Sequence, residues 1–253
     1  MKLNQAQIQK ALLCGQAIVF DEIGSTNEYL LTHHQTLENG SVCLAEKQTA
    51  GRGRRGRTWY SPESENLYFS ILWHYPKDAA NLPPLSLVVA LIIAESLTKQ
   101  NVDNIQIKWP NDIYYNGKKM GGILLESQAN HKGLDLVIGI GLNLGMTKVD
   151  EKIVTQAWAD LSQYHFDRNK LVCHLAYELQ KNLKIYPLVG FSHYAQRWQK
   201  FDIFYNKPVK LITENTEIHG TSLGINELGE LIILQQDQVI QYFSIGEMSL
   251  RGD

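Results

Sequence analysis

Residues 51–57 read Gly-Arg-Gly-Arg-Arg-Gly-Arg. Glycine lets backbone N–H groups come close to a ligand, and arginine supplies planar, permanently charged forks that match phosphate or carboxylate. The stretch reads as a flexible loop built to close over an anion. Its flanks restrict the fold that can surround it. Gly51, Gly53 and Gly56 satisfy the spacing G-x-G-x-x-G, but a dinucleotide-binding turn needs a strand before it and a helix opening on it. Residues 42–46 are strand-like, whereas Arg57-Thr58-Trp59-Tyr60-Ser61-Pro62 has no helical periodicity and ends in proline. A doubly wound nucleotide-binding sheet is therefore set aside. No Gly-Lys-Ser/Thr closes the loop, so it is not a Walker loop either.

The arginine density is local. Lys and Arg number 24 against 26 Asp and Glu, for a formal net charge of -2. A chain that lives on nucleic acid shows a basic excess over a whole face, so a small anionic ligand is expected and a nucleic-acid partner is not. The three cysteines, Cys14, Cys43 and Cys173, are scattered without C-x-x-C spacing, which points to a reducing compartment. The eight histidines form no metal-binding pattern, and His33-His34 reads as a solvated helix end. No signal peptide is evident. The longest apolar run, 85–94, is far shorter than the roughly 20 residues that span a bilayer and reads as a core helix. A cytoplasmic protein without a membrane partner is expected.

The pattern along the chain predicts an α+β fold. Helices are expected at 5–13, after the capping box Ser25-Thr26-Asn27-Glu28, at 85–99, at 168–186 and at about 190–200. Strands are expected at 17–20, 42–48, 67–73, 105–108, 123–126 and 136–144, with Asn116-Gly117 as a two-residue hairpin turn. From Lys207 the texture changes to short strands at about 208–213, 217–223, 230–235 and 238–243, separated by Glu214-Asn215, 224–229 and Gln236-Asp237. Three units follow: a short N-terminal helix over 1–16, a catalytic domain over 17–204 with a central mixed or antiparallel sheet flanked by helices, and a small β domain, read as a barrel, over 205–253.

Three further segments carry site chemistry. Ser25-Thr26-Asn27 sits at a helix N-terminus, where orphan N–H groups favour an anion or a polar ligand edge; plain capping is the competing reading. Lys108-Trp109-Pro110-Asn111-Asp112 joins a cation, an aromatic plane, an amide and a carboxylate between two strands. Lys119 precedes the paired glycines Gly121 and Gly122, where backbone can approach a ligand, and Lys118 points to the opposite face of the strand. There is no serine–histidine or cysteine–histidine nucleophile signature and no protein-only metal set. Such chemistry suits anion transfer by charge stabilisation and positioning, as in nucleotide activation of a carboxylate.

The Gly-Arg loop, Lys108–Asp112 as a Lys-Trp-Pro-Asn-Asp motif, Lys119 with Gly121-Gly122-Ile123, and Gly139-Ile140-Gly141-Leu142-Asn143 occur in an order and spacing that resembles the biotin–protein ligase family. The likeness runs from about Val19 to the C-terminus, including Pro208-Val209-Lys210-Leu211 and Ser249-Leu250-Arg251. It implies the class II synthetase-like biotin ligase fold with an SH3-like C-terminal domain. It implies ATP with Mg²⁺, biotin as substrate, biotinyl-5′-AMP as intermediate, and the biotin carboxyl carrier protein of acetyl-CoA carboxylase as acceptor. Some bacterial members carry an N-terminal winged helix that represses biotin operons; about 16 residues before the first core strand cannot hold one, so no repressor activity is expected. The resemblance assigns Ser25, Thr26, Asn27, Gln48, Arg52, Gly53, Arg54, Lys119 and Gly122 to biotin. It assigns Arg54, Arg57, Trp59, Asn111, Lys119 and Asn143 to the nucleotide, and Lys119, Arg54 and Asp112 to catalysis. A homodimer through sheet edges is open. A lipoate–protein ligase using the same adenylation chemistry is the alternative.

Overall fold

The computed structural model describes residues 2–63, 66–77, 84–131, 133–146, 157–213, 216–246 and 248–252. Helix α1 (Gln5–Ala11) precedes β1 (Ala17–Ile23), α2 (Thr26–His33) and β2 (Val42–Gln48). β1 and β2 are parallel, with α2 as their crossover. After the Gly-Arg loop the chain returns as β3 (Leu67–Pro76), antiparallel to β2. That reversal rules out a dinucleotide-binding turn, which requires a helix and a parallel return at this point.

Helix α3 (Leu85–Thr98) has 12 buried residues of its 14. An element apolar on all sides must be a core helix, and it packs on the sheet and on the helices that follow. β4 (Ile105–Lys108), β5 (Asp112–Tyr115), β6 (Lys118–Asn130) and β7 (Gly133–Leu142) complete a seven-stranded sheet of order β1-β2-β3-β7-β6-β5-β4. The Asn-Gly turn between β5 and β6 has positive φ at both residues, 49° at Asn116 and 74° at Gly117, as a type I′ turn demands. β6 is much longer than the predicted 123–126 because β7 pairs with it from Gly121↔Leu142 to Asn130↔Gly133 and β5 pairs with its start. Helices α4 (Arg168–Val189) and α5 (Ser192–Gln199) cover the same face as α3.

The C-terminal strands are β8 (Pro208–Ile212), β9 (Glu217–Ile225), β10 (Leu231–Leu234), β11 (Ile240–Phe243) and β12 (Ser249–Gly252). They form an antiparallel sheet of order β11-β10-β9-β8-β12, consistent with an SH3-like fold. β12 was not expected as a strand. The predicted turn Glu214-Asn215 lies outside the described residues. β4 is tied to the segment between α5 and β8 where Ile107 N donates to Phe201 O (2.7 Å) and Ile203 N to Ile107 O (3.0 Å), and Trp109 Nε1 donates to Gly229 O, between β9 and β10, at 3.2 Å. Among the described residues, no helix is long and apolar enough to cross a membrane.

The reading of His33-His34 as a solvated helix end holds for His33 only. His34 turns inward, with its Nδ1 on Leu31 O (2.6 Å) and its Nε2 3.7 Å from Asp135 of β7, because α2 lies flat on the sheet at that turn.

Candidate active site

Glycines hollow one face of the sheet. Gly122 of β6 faces Gly141 of β7, with Gly139 two residues away. A Cβ at Gly139 would stand 2.2 Å from Asn27 Oδ1, and one at Gly141 would stand 2.5 Å from the Trp59 indole. Any side chain at either position would displace what lies above it. The resulting cavity, about 670 Å³, is roofed by the Gly-Arg loop and reaches Met248 and the start of β12 at Ser249 and Leu250. Every residue the sequence nominated lines this cavity: Ser25, Thr26, Asn27 and Gln48 at one end, Arg52, Gly53, Arg54, Arg57 and Trp59 above, and Asn111, Asp112, Lys119, Gly122 and Asn143 at the other.

The α2 end is a network of polar side chains with fixed directions. Ser25 caps the helix, its Oγ accepting from Glu28 N. Gln48 Oε1 accepts from Thr26 N (2.9 Å) and Thr26 Oγ1 (3.1 Å). Thr26 Oγ1 meets Ser70 Oγ at 2.7 Å, and Ser70 donates to Asn27 Oδ1 at 2.6 Å. The Asn27 amide then donates to Glu126 Oε2 (2.9 Å), whose Oε1 pairs with Arg52 Nη2 at 2.7 Å. In the other direction Gln48 Nε2 donates to Ser61 Oγ (3.0 Å), which donates to Trp59 O (2.9 Å). Both ends of the loop are thus tied to the helix N-terminus through one chain of hydrogen bonds.

The loop itself is a tight turn. Arg52 bridges Thr58, Gly53 N donates to Arg57 O (2.7 Å), and Arg55 and Gly56 have φ of 57° and 67°. Glycine takes that conformation freely; Arg55 adopts it against preference. Arg54 points down, donating from Nη1 to Asn111 Oδ1 (3.0 Å) and from Nη2 to Gly246 O (2.7 Å), so it joins the loop to both sheets.

At the far end Lys119 Nζ lies 2.7 Å from Asp112 Oδ1 and 5.6 Å from the centre of the Trp59 ring. Lys118 is exposed, as the alternation predicted. Asn143 is buried, its Nδ2 donating to Ala159 O at 3.2 Å. Among the described lining residues, six cations (Arg52, Arg54, Arg55, Arg57, Lys108 and Lys119) surround a single carboxylate, Asp112. Burial lowers the proton affinity of Lys108; Lys119, Arg251 and Arg57 lower it further, while Asp112 opposes them. The cavity is thus arranged for an anionic occupant carrying more than one charge.

Sequence reasoning gave Lys108, the cation of the nominated pentapeptide, no role of its own, and it lines the cavity. Ser70, Ser61 and Glu126 were also missed. Their signal is tertiary, since Glu126 is 99 residues from Asn27.

The sequence model described as the biotin/lipoate A/B protein ligase family matches residues 19–143, and that of the biotin protein ligase C-terminal domain matches 204–251. Among curated proteins, the bifunctional ligase/repressor BirA of Escherichia coli (strain K12) is 42% identical over 253 residues, covering 99% of this chain and 78% of that protein. The biotin--[acetyl-CoA-carboxylase] ligase of Paracoccus denitrificans is 30% identical, covering 83% of this chain and 90% of the relative. Among solved structures, the biotin protein ligase from Aquifex aeolicus in complex with biotin and ATP superposes with a TM-score of 0.82 at 31% identity, over 94% of this chain and 99% of that one.

Proposed function

The chain belongs to the biotin/lipoate A/B protein ligase family, and from that membership we propose that it is an ATP-dependent biotin–protein ligase. In the first step an oxygen of the biotin carboxylate attacks the α-phosphorus of ATP. The bond to the β-phosphate oxygen breaks, leaving biotinyl-5′-AMP and pyrophosphate. In the second step the amine of an acceptor lysine attacks the acyl carbon, an amide forms, AMP leaves and the lysine proton is released. The acceptor we propose is the biotin carboxyl carrier protein of acetyl-CoA carboxylase, in keeping with the names of the Paracoccus relative and of a Mycobacterium tuberculosis relative. Those names also favour biotin over lipoate.

The lining of the cavity supports a role for each of the nominated residues. Thr26, Asn27 and Gln48, with Ser25 at the helix end, would orient the neutral polar part of biotin, since they offer directed donors and acceptors rather than charge. Arg52 and Gly53 would close the loop over it, with Gly122 leaving room for the ligand against the sheet. Lys119 would meet both the carboxylate and the α-phosphate, two anions that repel until a cation stands between them. Arg54 and Arg57 would screen the phosphates, Trp59 would pack near the adenine, and Asn111 and Asn143 would hold the nucleotide. Asp112, released from Lys119 as ligand anions arrive, would take up a proton or face the metal ion. Mg²⁺ prefers oxygen ligands and phosphates; Asp112, Asn111 and Asn143 offer such oxygens, and among the described residues no cluster of three metal-binding side chains is found. The ion would come with ATP, whose phosphates it favours, and would supply positive charge at the departing pyrophosphate.

The observation that carries this reading is Lys119 standing in a cation-lined, glycine-floored cavity with one carboxylate, Asp112, at 2.7 Å. Purified protein given biotin, ATP and a carrier domain should release pyrophosphate and add one biotinyl mass to one carrier lysine. Transfer of lipoate in place of biotin, or no transfer, overturns it.

A further inference from the structure

Glu126 has no part in the chemistry above, yet it occupies the centre of the site's hydrogen-bond network. It lies on β6 on the same face as Gly122, four residues on, and its side chain is 18% exposed. One carboxylate oxygen holds the Arg52 guanidinium at 2.7 Å; the other accepts from the Asn27 amide at 2.9 Å. Arg52 belongs to the roof of the cavity, and Asn27 to its end wall. No other side chain in this network bonds directly to both.

We infer that Glu126 is a positioning residue that latches the Gly-Arg loop shut and fixes the amide of Asn27 for the ligand. The amide is held at both ends, since its oxygen accepts from Ser70 (2.6 Å) while its nitrogen donates to Glu126. This defines which atom of Asn27 faces which way and prevents a flip of the carboxamide. The ion pair acts on the loop. Four arginines in seven residues repel one another, and a fixed carboxylate beneath them offsets that repulsion where the loop must come down. A charge-assisted hydrogen bond to a partly buried carboxylate is among the stronger contacts a loop can make. A glutamine in its place keeps the shape and one acceptor oxygen but loses the charge, so it cannot serve both partners. The inference rests on the reading of this cavity as a biotin and ATP site, and its test separates the two.

The first measurement needs no ligand. Trypsin cleavage within 52–57 of the empty protein reads loop opening, because a site cut only when open is cut in proportion to the open population. Glu126→Gln should be cut about tenfold faster than the wild type, the factor that 1.4 kcal/mol carries. Arg52→Ala, which removes the other half of the latch at an exposed side chain, should show the same acceleration at the remaining arginines. The double variant should be no faster than either alone, since each removes the same contact. The second measurement is biotin-dependent pyrophosphate exchange. Glu126→Gln should raise the KM for biotin about tenfold and lower kcat less than threefold. A merely structural role would lower the melting temperature and leave KM unchanged. Equal cleavage of wild type and both single variants overturns the latch, as does an unchanged KM, or a double variant whose effects add. Should Glu126→Gln fail to fold, Arg52→Ala alone decides. Should the wild type show no exchange with biotin, the functional reading fails while the cleavage comparison still reads the latch.

Discussion

Two ion pairs of nearly equal length occupy very different positions in this molecule. Glu46 of β2 meets Arg168 at the start of α4 at 2.8 Å, with side chains 8% and 5% exposed; Asp112 meets Lys119 in the cavity at 2.7 Å, with 19% and 18% exposed. Distance does not separate them. Their other partners do. Glu46 Oε1 also accepts from Leu3 N (2.7 Å), and Arg168 Nη1 donates to Asn66 O (2.9 Å), so backbone groups hold both members in place. The arginine fork suits such a multidentate, permanent assignment. Lys119 is a compact ammonium with a carboxylate on one side, an indole face on another, and the cavity beyond. Its charge can change partner without breaking the fold. A pair anchored by backbone groups clasps the N-terminal segment to α4; the other pair faces the cavity.

Cutting each pair on one side tests the contrast. Glu46→Ala leaves a buried guanidinium and the Leu3 amide without an acceptor, and removing one partner of a buried pair costs about 3–5 kcal/mol. Denaturant unfolding should show that loss, while the KM for biotin of the folded fraction stays unchanged. A loss below about 1 kcal/mol, the range of surface pairs, would mean that Glu46–Arg168 is no more structural than its counterpart. Lys119→Ala should do the reverse. On the proposed function it removes a charge from where negative charge would gather, a change of about 10²–10³ in rate for a preorganised donor, with the melting temperature shifting only a few degrees. Adenylate formation by this variant at the wild-type rate would remove Lys119 from the reaction.

The same contrast explains what the sequence reveals. Ion pairs and networks made by groups close along the chain, or by motifs with a local mechanism, can be read from it. The Ser25 cap, the Asn116-Gly117 turn and the apolar α3 obey local rules, and the nominated site residues sit in short motifs that line one cavity. Glu126, Ser70 and the inward turn of His34 depend on strand register between distant segments. Glu126 reaches Asn27 only because β6 pairs β7 from Gly121 to Asn130 and α2 lies across both. β12 was missed for a related reason. Ser-Leu-Arg-Gly has one buried apolar residue and becomes a strand through pairing with β8.

Asp202 extends the comparison to a carboxylate only half provided for. It lies where β4 is tied to the joint between the two sheets. Its Oδ1 accepts from Phe204 N (2.9 Å), while its Oδ2 is buried with no hydrogen-bond partner. Burial pushes its proton affinity up to about 6, against partial relief from the Phe204 N–H and the charge of Lys207. In the unfolded chain the same group titrates near 4. Between those values the folded state binds more protons than the unfolded one, so the stabilising contribution is complete below about pH 4 and is lost as pH rises through about 6. The loss amounts to at most about 3 kcal/mol. Asp202→Asn carries no proton across this range, so its stability, measured by urea unfolding at pH 4, 5, 6 and 7, should lack that fall once other groups are subtracted against the wild type. Parallel curves for the two proteins would mean that Asp202 is neutralised by a partner at neutral pH, and the joint would then belong with Glu46–Arg168 rather than with the cavity.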